Sequence, residues 1–135
     1  DEEDLLVRTK ELYEFLEEAS GSYRFDRHNI IAVGYSNGAN IAASLLFHHQ
    51  HALKGAILHH PMVPRKGAVL PELSGTPVFI GAGSNDPICP PEESEQLAKL
   101  LTEAKADVHI HWENQGHQLT QTEALAAADW YSRIG

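Results

Sequence analysis

Positive charge is scarce in this sequence. Ten Lys and Arg stand against nineteen Asp and Glu, a formal net charge of −9 over 135 residues. Nucleic acid and anionic membranes both call for clustered positive charge, so neither is expected as a partner. Cysteine is scarcer still. Cys89 is alone, which excludes an internal disulfide and suits a reducing compartment, so a cytoplasmic location is the expectation. No apolar run approaches the roughly 18 residues of a membrane span, and no stretch reads as a secretory signal. Repeats, low-complexity tracts and interdomain linkers are likewise absent. Methionine is missing from position 1: the chain opens on Asp1-Glu2-Glu3-Asp4, so an upstream segment, removed or left out, is expected. What remains is 42% apolar and 21% charged, the composition of one ordinary globular domain over residues 1–135.

The most informative stretch is Gly34-Tyr35-Ser36-Asn37-Gly38. The apolar, β-branched run of residues 29–33 precedes it and reads as a buried strand. Residues 39–47 follow, with apolar positions at helical spacing. A G-x-S-x-G between strand and helix resembles the nucleophile elbow of α/β-hydrolases. So tight a turn strains the serine backbone and thrusts its hydroxyl out at the sheet's edge. Side chains two residues to either side would collide with neighbouring backbone, which Gly34 and Gly38 avoid. The helix N-terminus behind Ser36 adds oriented N–H groups where an oxyanion would develop.

In chain order, residues 2–20 predict an amphipathic helix with Leu5, Leu12, Phe15, Leu16 and Ala19 inward and Gly21 as its stop. The elbow strand falls near 29–34 and its helix near 37–49. Residues 54–60 form a second strand, 77–83 a third, and 92–105 a helix begun by Pro90 and Pro91. Asp107 to Glu113 alternates Val108, Ile110 and Trp112 against His109 and His111, as a strand with one more exposed face does. A final helix near 120–134 buries Leu125 and Ala128, with Trp130, Tyr131 and Ile134 as further candidates. The order α-β-α-β-β-α-β-α implies a parallel sheet with helices on both faces.

A serine hydroxyl needs a base to take its proton, and histidine, with a pKa near 6.5, is the usual one. A carboxylate then orients the imidazole. In α/β-hydrolases the three follow in the order Ser, Asp or Glu, His, and sites in open parallel sheets lie at the strands' carboxyl ends. Asp86, just past the third strand, meets both constraints. Asp107 begins a strand at the wrong edge, Asp129 lies inside a helix, and Glu92 and Glu93 fall in a first helical turn. Of nine histidines, His117 ends the last strand's loop downstream of both partners. His59 and His60 also end a strand but precede the acid, while His28, His48, His49 and His51 fall elsewhere.

The strings GYSNGAN (residues 34–40), HHPMVP (59–64), GSNDPICP (83–90) and WENQGHQLT (112–120) carry a wider resemblance. From its first helix onward the chain resembles the C-terminal two-thirds of a bacterial phospholipase/carboxylesterase-like hydrolase. Within that group it is most similar to the small carboxylesterases associated with hydroquinone and quinone stress. The resemblance implies an α/β-hydrolase fold whose N-terminal strands are absent from this chain. It implies hydrolysis of a small-molecule carboxylic ester, with no cofactor and no metal. Ser36 would be the nucleophile, Asp86 the acid, His117 the base and the Asn37 N–H an oxyanion donor. Met62, Ile88 and Leu119 would lie on loops near the substrate pocket. The loop that supplies a second oxyanion donor in such enzymes lies upstream, and losing one donor typically costs ~100- to 1000-fold in rate.

Two other readings stay open. A hydrolase remnant could act as a binding or assembly module, with the elbow strand's unpaired edge available for homo-oligomer formation or for pairing with another chain. A metal-binding protein could use His48, His49 and His51, or the pair His109 and His111, although surface histidines explain both sets. Cys89, close to Asp86, reads as a redox-sensitive thiol or as a partly buried loop cysteine.

Overall fold

Short apolar runs joined by helices bury both faces only when the strands lie parallel. The computed structural model, which describes residues 2–23, 30–49, 52–65 and 67–134, has this arrangement. Its elements are α1 (Glu2–Tyr23), β1 (Ile31–Tyr35), α2 (Asn37–His48), β2 (Gly55–His59), β3 (Pro77–Gly83), α3 (Pro91–Glu103), β4 (Asp107–Glu113) and α4 (Gln121–Ile134). The four strands form one sheet in the order β1-β2-β3-β4, and every pairing is parallel. The register sets Tyr35 beside His59 and His59 beside Gly81. All four carboxyl ends therefore finish along one edge, where the loops that follow them meet.

Alternation along the strands sorts the side chains into two layers. Ala56, Leu58, Val78, Ile80 and Ala82 face α2 and α3 and pack with Leu45, Leu46, Phe47, Leu97 and Leu101 in the main core. Ile57 and Phe79 face the other way and meet Ala127 and Trp130 of α4. The sheet thus carries helices on both faces. Helix α1 packs on α2, where the buried Thr9 hydroxyl lies 2.7 Å from that of Ser44. Among the described residues β1 is an edge strand, and Val33 on it is 67% exposed.

Sequence expectations give way in α1, α4 and β4. Helix α1 runs through Gly21 to Tyr23, because one glycine costs a helix only about 1 kcal/mol. Its inward stripe is Leu5, Thr9, Leu12, Leu16 and Ala19, the 3.6-residue spacing, which leaves Phe15 61% exposed. Helix α4 docks through Glu123, Ala127 and Trp130, so Leu125 (61%) and Tyr131 (52%) are exposed, as is Ala128. At the end of β4, Trp112 is 38% exposed, beyond the reach of the core that covers Val108 and Ile110. His28, Asn29 and His51 lie outside the described residues.

Leu97 and Phe15 make a matched pair for testing this packing, since the former is fully buried and the latter is not. Urea unfolding should show Leu97→Ala destabilised by about 2–5 kcal/mol and Phe15→Ala changed by no more than about 0.5 kcal/mol.

Candidate active site

Ser36 sits where β1 passes directly into α2, at φ 56° and ψ −112°. A non-glycine residue rarely adopts this backbone, and it persists only where the surroundings over-determine it. Here the Ser36 N–H donates to the His59 carbonyl at 2.9 Å, and the Ser36 carbonyl accepts from Asn40 N–H at 3.0 Å. The strained turn expected from the sequence is present. So is the need for Gly34, where a Cβ would stand 2.5 Å from the Gly38 carbonyl carbon. Gly38 differs: a Cβ there meets nothing within 4 Å. The crowding is one-sided, because it is the backbone of Gly38 that presses on Gly34. Asn37 opens α2 with no acidic residue in the first turn, so its N–H belongs to the uncompensated positive end of the helix.

The loops after β3 and β4 bring the other two residues to the same edge. His117 Nε2 lies 2.9 Å from Ser36 Oγ, and His117 Nδ1 lies 2.7 Å from Asp86 Oδ2. This pattern fits a neutral imidazole that donates through Nδ1 and accepts the serine proton at Nε2. Asn85 ties the two loops together, accepting from Gly116 N–H at 2.9 Å and donating to the Asn114 carbonyl at 3.0 Å. The Tyr35 hydroxyl donates to the His117 carbonyl. Asp86 is only 3% exposed. Its Oδ1 accepts from Ile88 N–H at 2.8 Å and Cys89 N–H at 2.9 Å. Burial pushes this carboxyl up, but the hydrogen bonds from Cys89, His117, Ile88 and His60 outweigh it and hold Asp86 below the ordinary carboxylate range.

Sequence reasoning passed over His59 and His60 and never singled out Glu123. All three are buried behind Asp86. His60 Nδ1 lies 3.0 Å from Asp86 Oδ2 and its Nε2 lies 2.8 Å from Glu123 Oε1. Glu123 Oε2 pairs with His59 Nδ1. Room for this carboxylate comes from Gly81, where any Cβ would collide with it. A glycine inside a strand marks close approach by another group, and this was the available signal. Burial pushes Glu123 up, but hydrogen bonds from His59 and His60, with their charges, prevail and bring it down to about 2.

The three residues expected near a pocket are separated. Met62 lines a hollow of about 580 Å³ together with Asn37, Asn40 and Arg8. Leu119 lines another of about 610 Å³, with Val33, Tyr35 and Tyr131. Ile88 lines neither and is 62% exposed. Ser36 stands between Tyr35, on one wall, and Asn37, on the other. Cys89 is 3% exposed, and burial together with the Asp86 and Glu93 charges pushes its thiol up to about 11. It is therefore a protonated, unreactive thiol.

Among the described residues, His60, Asp86 and His117 are the one group with three possible metal-ligand atoms within 4.8 Å, and hydrogen bonds within the site already engage them. His49 instead stacks on Tyr13 at 4.1 Å. His109 and His111 stack against Phe79.

The fold is that of an α/β-hydrolase, and the chain belongs to the dienelactone hydrolase family, whose model matches residues 4–132. It is 59% identical over 131 residues to the protein MhqD of Bacillus subtilis (strain 168), covering 97% of this chain and 66% of that protein. It superposes on the Bacillus cereus carboxylesterase with a TM-score of 0.98 at 64% identity, covering 100% of this chain and 64% of that one. The Mesorhizobium loti carboxylesterase gives a TM-score of 0.89 at 26% identity, with coverages of 98% and 63%. This chain thus spans just under two thirds of the length of these relatives. The expected resemblance to small carboxylesterases holds.

The Glu123 carboxyl makes stability depend on pH on the acid side. Its pKa falls from an ordinary 4.5 to about 2 on folding, so the stabilisation is present above pH ~4.5 and is lost as pH falls towards ~2. Acid titration followed by circular dichroism should show this loss in the parent and a shallower one in Glu123→Gln.

Proposed function

We propose that the protein hydrolyses small carboxylic esters through an acyl-serine intermediate, with Ser36, Asp86 and His117 as its triad. In this reading the 135 residues are the C-terminal portion of a single hydrolase domain. The observation that carries the proposal is the continuous chain Ser36 Oγ–His117 Nε2 at 2.9 Å and His117 Nδ1–Asp86 Oδ2 at 2.7 Å, ending on a serine in a strained elbow. The names of the relatives support the ester class.

The steps follow from the geometry. His117 Nε2 takes the Ser36 proton as Oγ attacks the carbonyl carbon, and ionised Asp86 stabilises the imidazolium that forms. The Asn37 N–H, at the positive end of α2, faces the developing oxyanion. His117 then gives its proton to the departing alcohol oxygen. Water, deprotonated by the same nitrogen, attacks the acyl carbon, and Ser36 Oγ leaves with the proton. Thioesters and lactones fit the same sequence of steps, and none of the steps calls on a cofactor. A non-catalytic interaction module would have no use for the Ser36–His117 bond and predicts that Ser36→Ala leaves binding or assembly unchanged.

Intact-mass measurement after exposure to a fluorophosphonate should show one adduct on the parent and none on Ser36→Ala. With a short-chain aryl ester, Asp86→Asn should lower kcat by about 10⁴-fold, because the imidazole loses the tautomer and orientation it needs. A folded parent that takes no adduct and turns over no ester would overturn the proposal.

A further inference from the structure

Tyr35 stands between Gly34 and Ser36 and reaches across the sheet's edge to the loop after β4. Its hydroxyl donates to the His117 carbonyl, and the direction is fixed, because a peptide carbonyl has no proton to give. Its ring lies against the His117 ring, tilted by 35° with 5.4 Å between centroids. One side chain thus touches both ends of His117, the imidazole and the main chain. Desolvation does not force the hydrogen bond: Tyr35 is 41% exposed, and water is available to its hydroxyl. A phenylalanine ring would line the same hollow, so what the hydroxyl adds is the tether.

The tether falls between two other anchors of the loop. Upstream, Asn85 grips Asn114 and Gly116, and Gly83 leaves room for the Gly116 carbonyl, which a Cβ would meet at 2.3 Å. Downstream, Thr120 accepts from Glu123 N–H and donates to Glu113 Oε1, which fixes the start of α4. Gly116, immediately before His117, has φ 65°, a region of backbone where glycine moves freely. The peptide that joins His117 to Gln118 lies between these anchors. Its N–H reaches the Gln115 carbonyl at 3.3 Å, a long bond, and its oxygen is the atom that Tyr35 holds. If this peptide turns, the imidazole swings with it. Nε2 stands 2.9 Å from Ser36 Oγ, and a misplacement of about 1 Å at such a contact can cost ~100-fold in rate.

Resting on the hydrolase reading above, we propose that Tyr35 is a positioning residue for the reaction. Through its hydroxyl it sets the His117 peptide and so keeps the imidazole opposite Ser36. Tyr35 and Ser36 are consecutive, so the same strained turn aims the phenol and the serine. Serine and histidine, 81 residues apart in the chain, are thereby both set by one short piece of backbone.

Tyr35→Phe removes the hydroxyl and keeps the ring. Fluorophosphonate labelling is followed against reagent concentration, which separates binding from the rate at saturation. In the variant the saturated rate should fall about 10-fold, with the half-saturation concentration and the urea midpoint unchanged. Nitrogen-15 relaxation reads the tether without any reaction. The order parameter of the Gln118 N–H should lie near the rigid value of ~0.85 in the parent and drop towards ~0.6 in the variant. A saturated rate equal to the parent's overturns the proposal, and so does an unchanged Gln118 order parameter. A slower rate that comes with a lower urea midpoint and loosening throughout the sheet is a general structural loss and overturns it as well. A parent that takes no fluorophosphonate counts against the hydrolase reading. The Gln118 order parameter then still decides the tether: a drop in the variant supports it and no change overturns it.

Discussion

A carboxylate sealed from water must be met by donors on every side, and the loops at the sheet's edge are arranged around that demand at Asp86. Two donors are the N–H groups of Ile88 and Cys89, supplied by the turn that leads to α3. The other two are imidazoles, from the end of β2 and from the loop after β4. Each of these segments reaches Asp86 only because the parallel register ends all four strands along one line. Remove the charge and three loops lose the point on which they converge.

The same demand is passed one step deeper. His60 can serve Asp86 only if its other nitrogen is also satisfied, and Glu123 does this while itself drawing on His59. That second carboxylate needs a strand without a side chain to lie against, which Gly81 provides. Imidazoles and carboxylates thus alternate from Ser36 to the underside of α4. This continuity explains why α4 docks by a glutamate and an alanine and leaves Leu125 to solvent.

The strands were legible because buried parallel strands are short, apolar and bounded by breakers, and 77–83 and 107–113 match residue for residue. Ser36, Asp86 and His117 were legible because chain order and strand ends leave few choices. Phe15 misled because hydrophobicity says nothing of a position one residue off a stripe, and Thr9 occupies the true one. Gly21 misled because a helix breaker acts with a strength that packing can exceed. Glu123 and His60 were illegible for a deeper reason: a charge reads as surface in any single stretch, and only the meeting of β2, β3 and α4 reveals that its partners are buried with it.

Asn85 binds the loop that carries His117 by both ends of its amide, and Ser84 beside it donates to the Glu113 carbonyl through its backbone at 2.8 Å. Asp86 and His117 are therefore mounted on one mechanical unit. When the sheet's end breathes, Asp86 and His117 travel together, and their separation is the coordinate least disturbed. The strand-to-helix turn is tied to this unit through the neighbour of Ser36, because the Tyr35 hydroxyl donates to the His117 carbonyl. The gap between serine and imidazole is thus braced from both sides, by Asn85 behind His117 and by Tyr35 beside Ser36.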